Sequence, residues 1–312
     1  MKFKSLPELL DYFKDDNVCR EYYEKIRWNG KPVCPHCNHE KVYKTNRGYK
    51  CSSSECYKKF TVTVGTVFEN TKIPLRLWFA AIYLCTAHKK GISSLQLGRD
   101  LNIPQKTAWF LEHRVREMLR TKNPTLLKGT VEVDGTLVGG QFRFKSKKAM
   151  EAIKKKYNTK TPRGNVGKTP IMGMLERGGK LITTVSSELD GLTLKPILKA
   201  NIDKDAKVYT DYFGAYKGLG DYFKEHSRTN HRAGEYVRGD VHTNGLEGYW
   251  SLLKRGIVGI YHYVSPKHLH RYCDEFSARY NTRDLSEQDR FKTFLAQSQG
   301  RLKYDDLVKK VN

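Results

Sequence analysis

Thr130-Val131-Glu132-Val133-Asp134-Gly135 is the stretch on which the fold turns. Before it the apolar residues recur at helical spacing; from Thr130 they alternate as in a strand, and the pattern stays mixed α/β to about Tyr280. A second β-branched run, Lys207-Val208-Tyr209-Thr210-Asp211, ends in the same way. A third acid lies in Asn244-Gly245-Leu246-Glu247, which opens a helix carrying Lys254 two turns further on. Two strand-end aspartates and a helical glutamate can hold two divalent cations about 4 Å apart for in-line attack on a phosphodiester.

Each of these residues also has a plainer reading. An aspartate closing a strand is commonly a turn or cap residue. Asn244 and Glu247 fit a capping box, N-cap plus N3. Glu132 lies two residues from Asp134, hence on the same strand face, and is a rival metal ligand. Along the helix, Leu246, Tyr249 or Trp250, and Leu253 form the apolar stripe, while Glu247, Ser251 and Lys254 share another face, where the lysine meets either a DNA phosphate or solvent.

The surrounding order predicts strands at 131–133, 171–176 and 181–186, the last two joined by Arg177-Gly178-Gly179. A helix near 192–200, a strand at 207–210, a helix at 213–219 and an extended piece at 223–229 follow. A three-strand meander followed by alternating helices and strands is the order of an RNase H-like fold. Residues 141–168 interrupt it as a long basic insertion with Lys147, Lys148, Lys154, Lys155, Lys156, Lys160 and Arg163.

Upstream, Cys34-Pro35-His36-Cys37 and Cys51-Ser52-Ser53-Ser54-Glu55-Cys56 make two knuckles that suit a closed tetrahedral Zn²⁺ site; the alternatives are reduced thiols, or a ligand drawn from His36 or His39. So small a segment has little core, and bound zinc would supply much of its folding energy. Cys19, Cys85 and Cys273 stand alone in helical patterns and read as packing residues. Residues 93–101, the turn Asn102-Ile103-Pro104 and residues 105–116 outline a helix-turn-helix, with Gln105, Lys106 and Thr107 placed for base edges and Arg114 for phosphate. An ordinary helical hairpin has the same outline.

The chain carries 57 Lys+Arg against 33 Asp+Glu, a formal charge of +24 spread along its 312 residues. That charge points to a polyanionic partner and a salt-sensitive affinity. There is no signal-peptide pattern and no apolar run of membrane length; the longest, 75–85, reads as a core helix. The expected site of action is the cytoplasm, in association with the nucleoid. The expected organisation is an α+β multidomain chain: a helical segment (1–30), a zinc ribbon (31–65), a helix-turn-helix-like region (70–125), an RNase H-like mixed-sheet catalytic domain (128–283) and a weakly amphipathic tail (284–312).

The two cysteine knuckles, the V-E-V-D-G-T-L-V-G-G segment at 131–140 and the run V-H-T-N-G-L-E-G-Y-W-S-L-L-K-R-G-I-V-G-I-Y-H-Y-V-S-P-K-H-L at 241–269 resemble a bacterial insertion-sequence transposase. The family has an N-terminal zinc ribbon and an ISXO-type DDE domain, and is related to eukaryotic Merlin elements. The resemblance implies cleavage dependent on Mg²⁺ (or Mn²⁺) at element ends in double-stranded DNA, then strand transfer into target DNA. It implies Asp134 and Asp211 as the first two acids. The third is Glu247 or Asn244, with Glu247 favoured because a charged oxygen holds a hard cation better. Position 135 is glycine where many relatives carry glutamate. Joining two ends in concert implies a homodimer or higher homo-oligomer. Two rivals stand beside this reading: a zinc-ribbon DNA-binding regulator or catalytically silent derivative, and a nuclease built on His268-Leu269-His270 with Tyr263 or Tyr272 as nucleophile.

Overall fold

The computed structural model describes residues 3–122, 124–140, 142–160 and 164–309; Gln141 and Arg163 of the basic insertion lie outside the described residues. The chain divides into two compact units, Met1–Arg120 with Thr282–Asn312, and Thr121–Asn281.

In the first unit the N-terminal apolar stripe forms two helices, α1 (Leu6–Tyr12) and α2 (Asp16–Trp28). They separate because the Asp15 side chain accepts the N–H groups of Asn17 and Val18 and starts a new helix there. A three-stranded antiparallel sheet follows, β1 (Val42–Thr45), β2 (Gly48–Cys51) and β3 (Lys59–Phe60). Next comes α3 (Leu75–Ala87), whose Trp78, Phe79, Ala81 and Ile82 are buried as the sequence predicts for a core helix. α4 (Ser94–Leu101) and α5 (Gln105–Leu119) pack as a pair across a turn in which Asn102 takes a left-handed φ of 52°. Gly98 permits that turn, since a Cβ there would stand 2.9 Å from the Ile103 carbonyl oxygen.

The segments the sequence separates as 1–30, 31–65, 70–125 and 284–312 fall within this one unit. The last of them is more than a tail. It holds α10 (Glu287–Ala296) and α11 (Tyr304–Val308), and Phe291 of α10 is fully buried against Phe3, Phe13 and Phe79.

The second unit is a five-stranded mixed sheet with helices on both faces. Its strands are β4 (Thr130–Val138), β5 (Thr169–Glu176), β6 (Leu181–Val185), β7 (Lys207–Asp211) and β8 (Glu225–Thr229), in the order β6-β5-β4-β7-β8. β4, β5 and β6 form the antiparallel meander, and β7 and β8 continue it in parallel with β4. This is the RNase H-like arrangement. One face packs Val131, Val133, Met172 and Met174 on Leu194 and Leu198 of α7 (Gly191–Asn201). The other packs Val138, Ile171 and Leu175 on α8 (Asn244–Gly256) and α9 (Leu269–Asn281). By strand alternation Glu132 and Asp134 belong to the α8 face.

Three local expectations change. β4 runs on to Val138, beyond the predicted stop near Asp134, because β5 pairs with it along its whole length while β7 pairs only as far as Val133. The helix expected at 213–219 is two short 3₁₀ turns, Gly214–Tyr216 and Leu219–Asp221, divided by Gly218 at a φ of 81°. The basic insertion contains α6 (Lys147–Lys156), started by Ser146 accepting from the Ala149 N–H, with Lys147, Lys148, Lys154 and Lys155 exposed.

Candidate active site and metal centre

The parallel register pairs Val133 with Thr210, so the next residues of each strand, Asp134 and Asp211, stand side by side where β4 and β7 stop pairing. Ligands of open α/β sheets gather beyond the carboxyl ends of parallel strands, and this is such a place. Asp211 Oδ1 accepts the backbone N–H of Phe213 at 3.1 Å, which ties the carboxylate to the turn that follows it. Asp134 Oδ2 accepts the indole N–H of Trp250 on α8 at 2.8 Å. The Asp134 carboxyl is pushed up to about 6, first by burial, next by the negative charge of Asp211, with Glu247 adding a smaller push and the Trp250 N–H opposing it. Asp134 thus feels the charge of both other acids. The three acids do not close as tightly as the cysteines: among the described residues, the four cysteine sulphurs lie within 4.8 Å of one another and the acids form no such group. Glu247 is the least confined, exposed on the first turn of α8 with Oε1 3.8 Å from His231 Nδ1.

α8 sorts its faces as the sequence predicts. Leu246, Tyr249, Trp250 and Leu253 are buried, whereas Asn244, Glu247, Ser251 and Lys254 are exposed. No side chain caps the helix at Thr243, and the helix begins at Asn244, so the capping-box reading of Asn244 and Glu247 does not apply. The cap comes from elsewhere in the sheet. Glu132, only 2 % exposed, accepts the Leu246 N–H on Oε2 at 3.2 Å and pairs with Arg177 Nε at 3.0 Å through Oε1. Arg177 also donates to the Asp240 carboxylate and to the carbonyls of Asp240 and His242, fastening the segment that leads into α8. Both oxygens of Glu132 are therefore engaged, one with the start of α8 and one with Arg177. Gly245 allows the approach, because a Cβ there would meet Glu132 Oε2 at 2.8 Å.

In the first unit Cys34, Cys37, Cys51 and Cys56 converge, with Sγ separations of 3.8 Å for Cys34–Cys56 and 3.6 Å for Cys37–Cys51. Zn–S bonds of about 2.3 Å in a tetrahedron require sulphurs about 3.8 Å apart, so the four thiols fit zinc. Their core is small, Tyr49 and Phe60 with Trp28 from the end of α2 closing over them. His39 Nε2 is engaged with Ser52 Oγ rather than with the cysteines.

At the start of α5, Gln105 and Lys106 are exposed and Thr107 is half-buried; Gln105 Nε2 donates to Ser94 Oγ and Lys106 lies over the Tyr304 ring. Arg114 is a correction to the sequence reading. It is 5 % exposed, and its guanidinium donates to the carbonyls of Leu302 and Glu69, so it braces the unit and presents no charge to phosphate. Sequence reasoning also passed over Trp250 as a polar partner, Glu132 as a cap and Arg177 as more than a turn residue. The buried carboxylate at an inward strand position was the one available signal, since such a group needs partners.

Two family models and two curated proteins match the chain. Residues 126–281 match the family model described as an ISXO2-like transposase domain, and residues 14–59 match one described as a transposase zinc-ribbon domain. The chain is 28 % identical over 282 residues to an uncharacterized protein in transposable element ISH50 of Halobacterium salinarum, covering 87 % of this chain and 92 % of that protein. It is 28 % identical over 109 residues to an uncharacterized transposase-like protein of Haemophilus influenzae, covering 35 % of this chain and 87 % of that protein. No helix among the described residues is long and apolar enough to cross a membrane.

Proposed function

The chain belongs to the ISXO2-like transposase family, and from that premise we propose that it cuts DNA at insertion-sequence ends and joins the freed ends to target DNA. The observation that carries the proposal is the placing of Asp134 beside Asp211, with α8 bringing Glu247 over the same side of the sheet. Three carboxylates make a donor set of hard oxygens, which fits Mg²⁺ or Mn²⁺. When bound, such cations lower the pKa of water and neutralise charge on the phosphate oxygens.

The protein's own part is to hold and orient. Asp134 and Asp211 are fixed on strands, and Glu247, in preference to Asn244, completes the set from a helix that Glu132 and Arg177 hold in register. Lys254, two turns beyond Glu247 and exposed, meets a DNA phosphate. Attack by water forms one P–O bond and breaks another, leaving a free 3′-hydroxyl at the element end. That hydroxyl then attacks a target phosphodiester, again forming one P–O bond for each broken, without a covalent enzyme intermediate. Gln105, Lys106 and Thr107 at the head of α5 read the element end, the zinc ribbon assists them, and Lys147, Lys148, Lys154 and Lys155 of α6 contribute backbone affinity. Synapsis of two ends requires at least a homodimer.

The test is Mg²⁺-dependent nicking of DNA carrying the element ends. Asp134→Asn and Asp211→Asn should abolish nicking and leave DNA affinity unchanged. Glu247→Gln should do the same, with Asn244→Ala retaining activity; the reverse pattern would make Asn244 the third ligand. Binding without nicking under any divalent cation would instead make the protein a regulator or a silent derivative.

A further inference from the structure

The contact between Trp250 and Asp134 joins a residue of the hydrophobic stripe to a carboxylate at the centre of the candidate site. Trp250 is 4 % exposed and packs among Leu246, Leu253 and Ile171, so its ring has little freedom to turn. An indole has a single donor and no acceptor, and here that donor points at Asp134 Oδ2 from 2.8 Å. The sheet is shaped to allow it. Gly173 is the residue of β5 paired with Asp134, and a Cβ on Gly173 would lie 2.6 Å from Trp250 Cζ2. The only residue type that leaves room for the indole thus sits directly across the ladder from the acid.

We propose that Trp250 is a positioning residue for Asp134. Its N–H claims Oδ2 and fixes the plane of the carboxylate, beside the backbone N–H of Gly135, and leaves Oδ1 as the oxygen offered to a cation. Partners of this kind orient a ligand and raise its affinity for metal, and their loss typically costs about 10- to 100-fold. The inference rests on the reading of Asp134 as a metal ligand and deepens it by naming the group that aims it.

The experiment replaces Trp250 in the full-length, zinc-loaded protein by 3-benzothienylalanine, which keeps the bicyclic shape and exchanges only the ring N–H for sulphur. Mn²⁺ binding is followed by loss of the free-ion electron paramagnetic resonance signal, beside the wild type, Trp250→Phe, Gly173→Ala and Asp134→Asn. The expected result is Mn²⁺ affinity lowered by about tenfold or more in the benzothienyl protein, which still melts cooperatively as a folded chain. Trp250→Phe and Gly173→Ala should lose affinity similarly, the last by displacing the indole. Unchanged Mn²⁺ affinity in the benzothienyl protein, with Asp134→Asn losing it, makes Trp250 a packing residue and overturns the inference while the proposed function stands. Mn²⁺ binding indifferent to Asp134→Asn as well overturns both.

Discussion

At the scale of single residues, Asp134 shows how the candidate site is built against its own stability. Burial and the charge of Asp211 raise its carboxyl from the ordinary 3.8 to about 6, a ceiling of about 3 kcal/mol against the ionised form. An acid with a raised folded pKa costs nothing below its unfolded value, where both states are protonated, and its full penalty appears above the folded one. Stability should therefore fall as pH rises from about 4 to about 6. Asp134→Asn should stabilise the protein at pH 7.5 by up to that ceiling and have no effect near pH 3.5, in urea unfolding without added divalent cation; a pH-independent effect would refute the account. Cation binding should weaken in the opposite direction, as pH falls through about 6 and protons compete for the carboxylate. Asp134, Asp211 and Glu247 were legible as strand and helix residues because each stands in a short local pattern of β-branched or helical residues. Glu132 and Trp250 were not, since their partners lie far along the chain: Glu132 meets Leu246 114 residues away, and Trp250 meets Asp134 across 116.

At the scale of elements, α8 is the part whose placement matters most, and its first turn is held by a buried ion pair. Arg177→Ala would leave Glu132 charged and nearly water-free, and removing one partner of a buried pair typically costs about 3–5 kcal/mol. Because Arg177 is partly exposed, the lower end is expected, together with faster hydrogen exchange of the amides at 244–247. Glu132→Gln keeps an acceptor for the Leu246 N–H and should cost less; equal costs would deny Glu132 its capping role. Helix α8 itself was readable from its apolar stripe, as were the β5–β6 hairpin from Arg177-Gly178-Gly179 and the zinc knuckles from cysteine spacing. The 213–219 helix failed because Gly214 and Gly218 break a pattern that apolar spacing alone made attractive. Arg114 misled for the opposite reason, a charged side chain on an inward face whose carbonyl partners at 69 and 302 no local window contains.

At the scale of the whole molecule, the chain forms two compact units, 121–281 and 1–120 with 282–312. Nothing within 284–312 declares that Phe291 completes a core begun by Phe3 and Phe13, since the pairing of chain ends is set by aromatic packing and not by any local motif. Two fragments separate the units experimentally. Residues 121–281 should fold alone, with a cooperative melt and dispersed amide resonances. Residues 1–120 should not fold stably without 282–312, because an empty Phe291 site resembles a Phe→Ala cavity costing about 3–5 kcal/mol. Recovery on adding the 282–312 peptide in trans would support the division; a stable 1–120 fragment would contradict it.

The interleaving of the two units fixes an order of birth on the ribosome. The span 121–281 emerges entire while the other unit still lacks residues 282–312. A nascent chain thus has its five-stranded sheet complete before its cysteine-bearing unit can close. Any stop codon or frameshift soon after Asn281 releases a product with the five-stranded sheet complete and the cysteine-bearing unit lacking Phe291, the ring that fills its core.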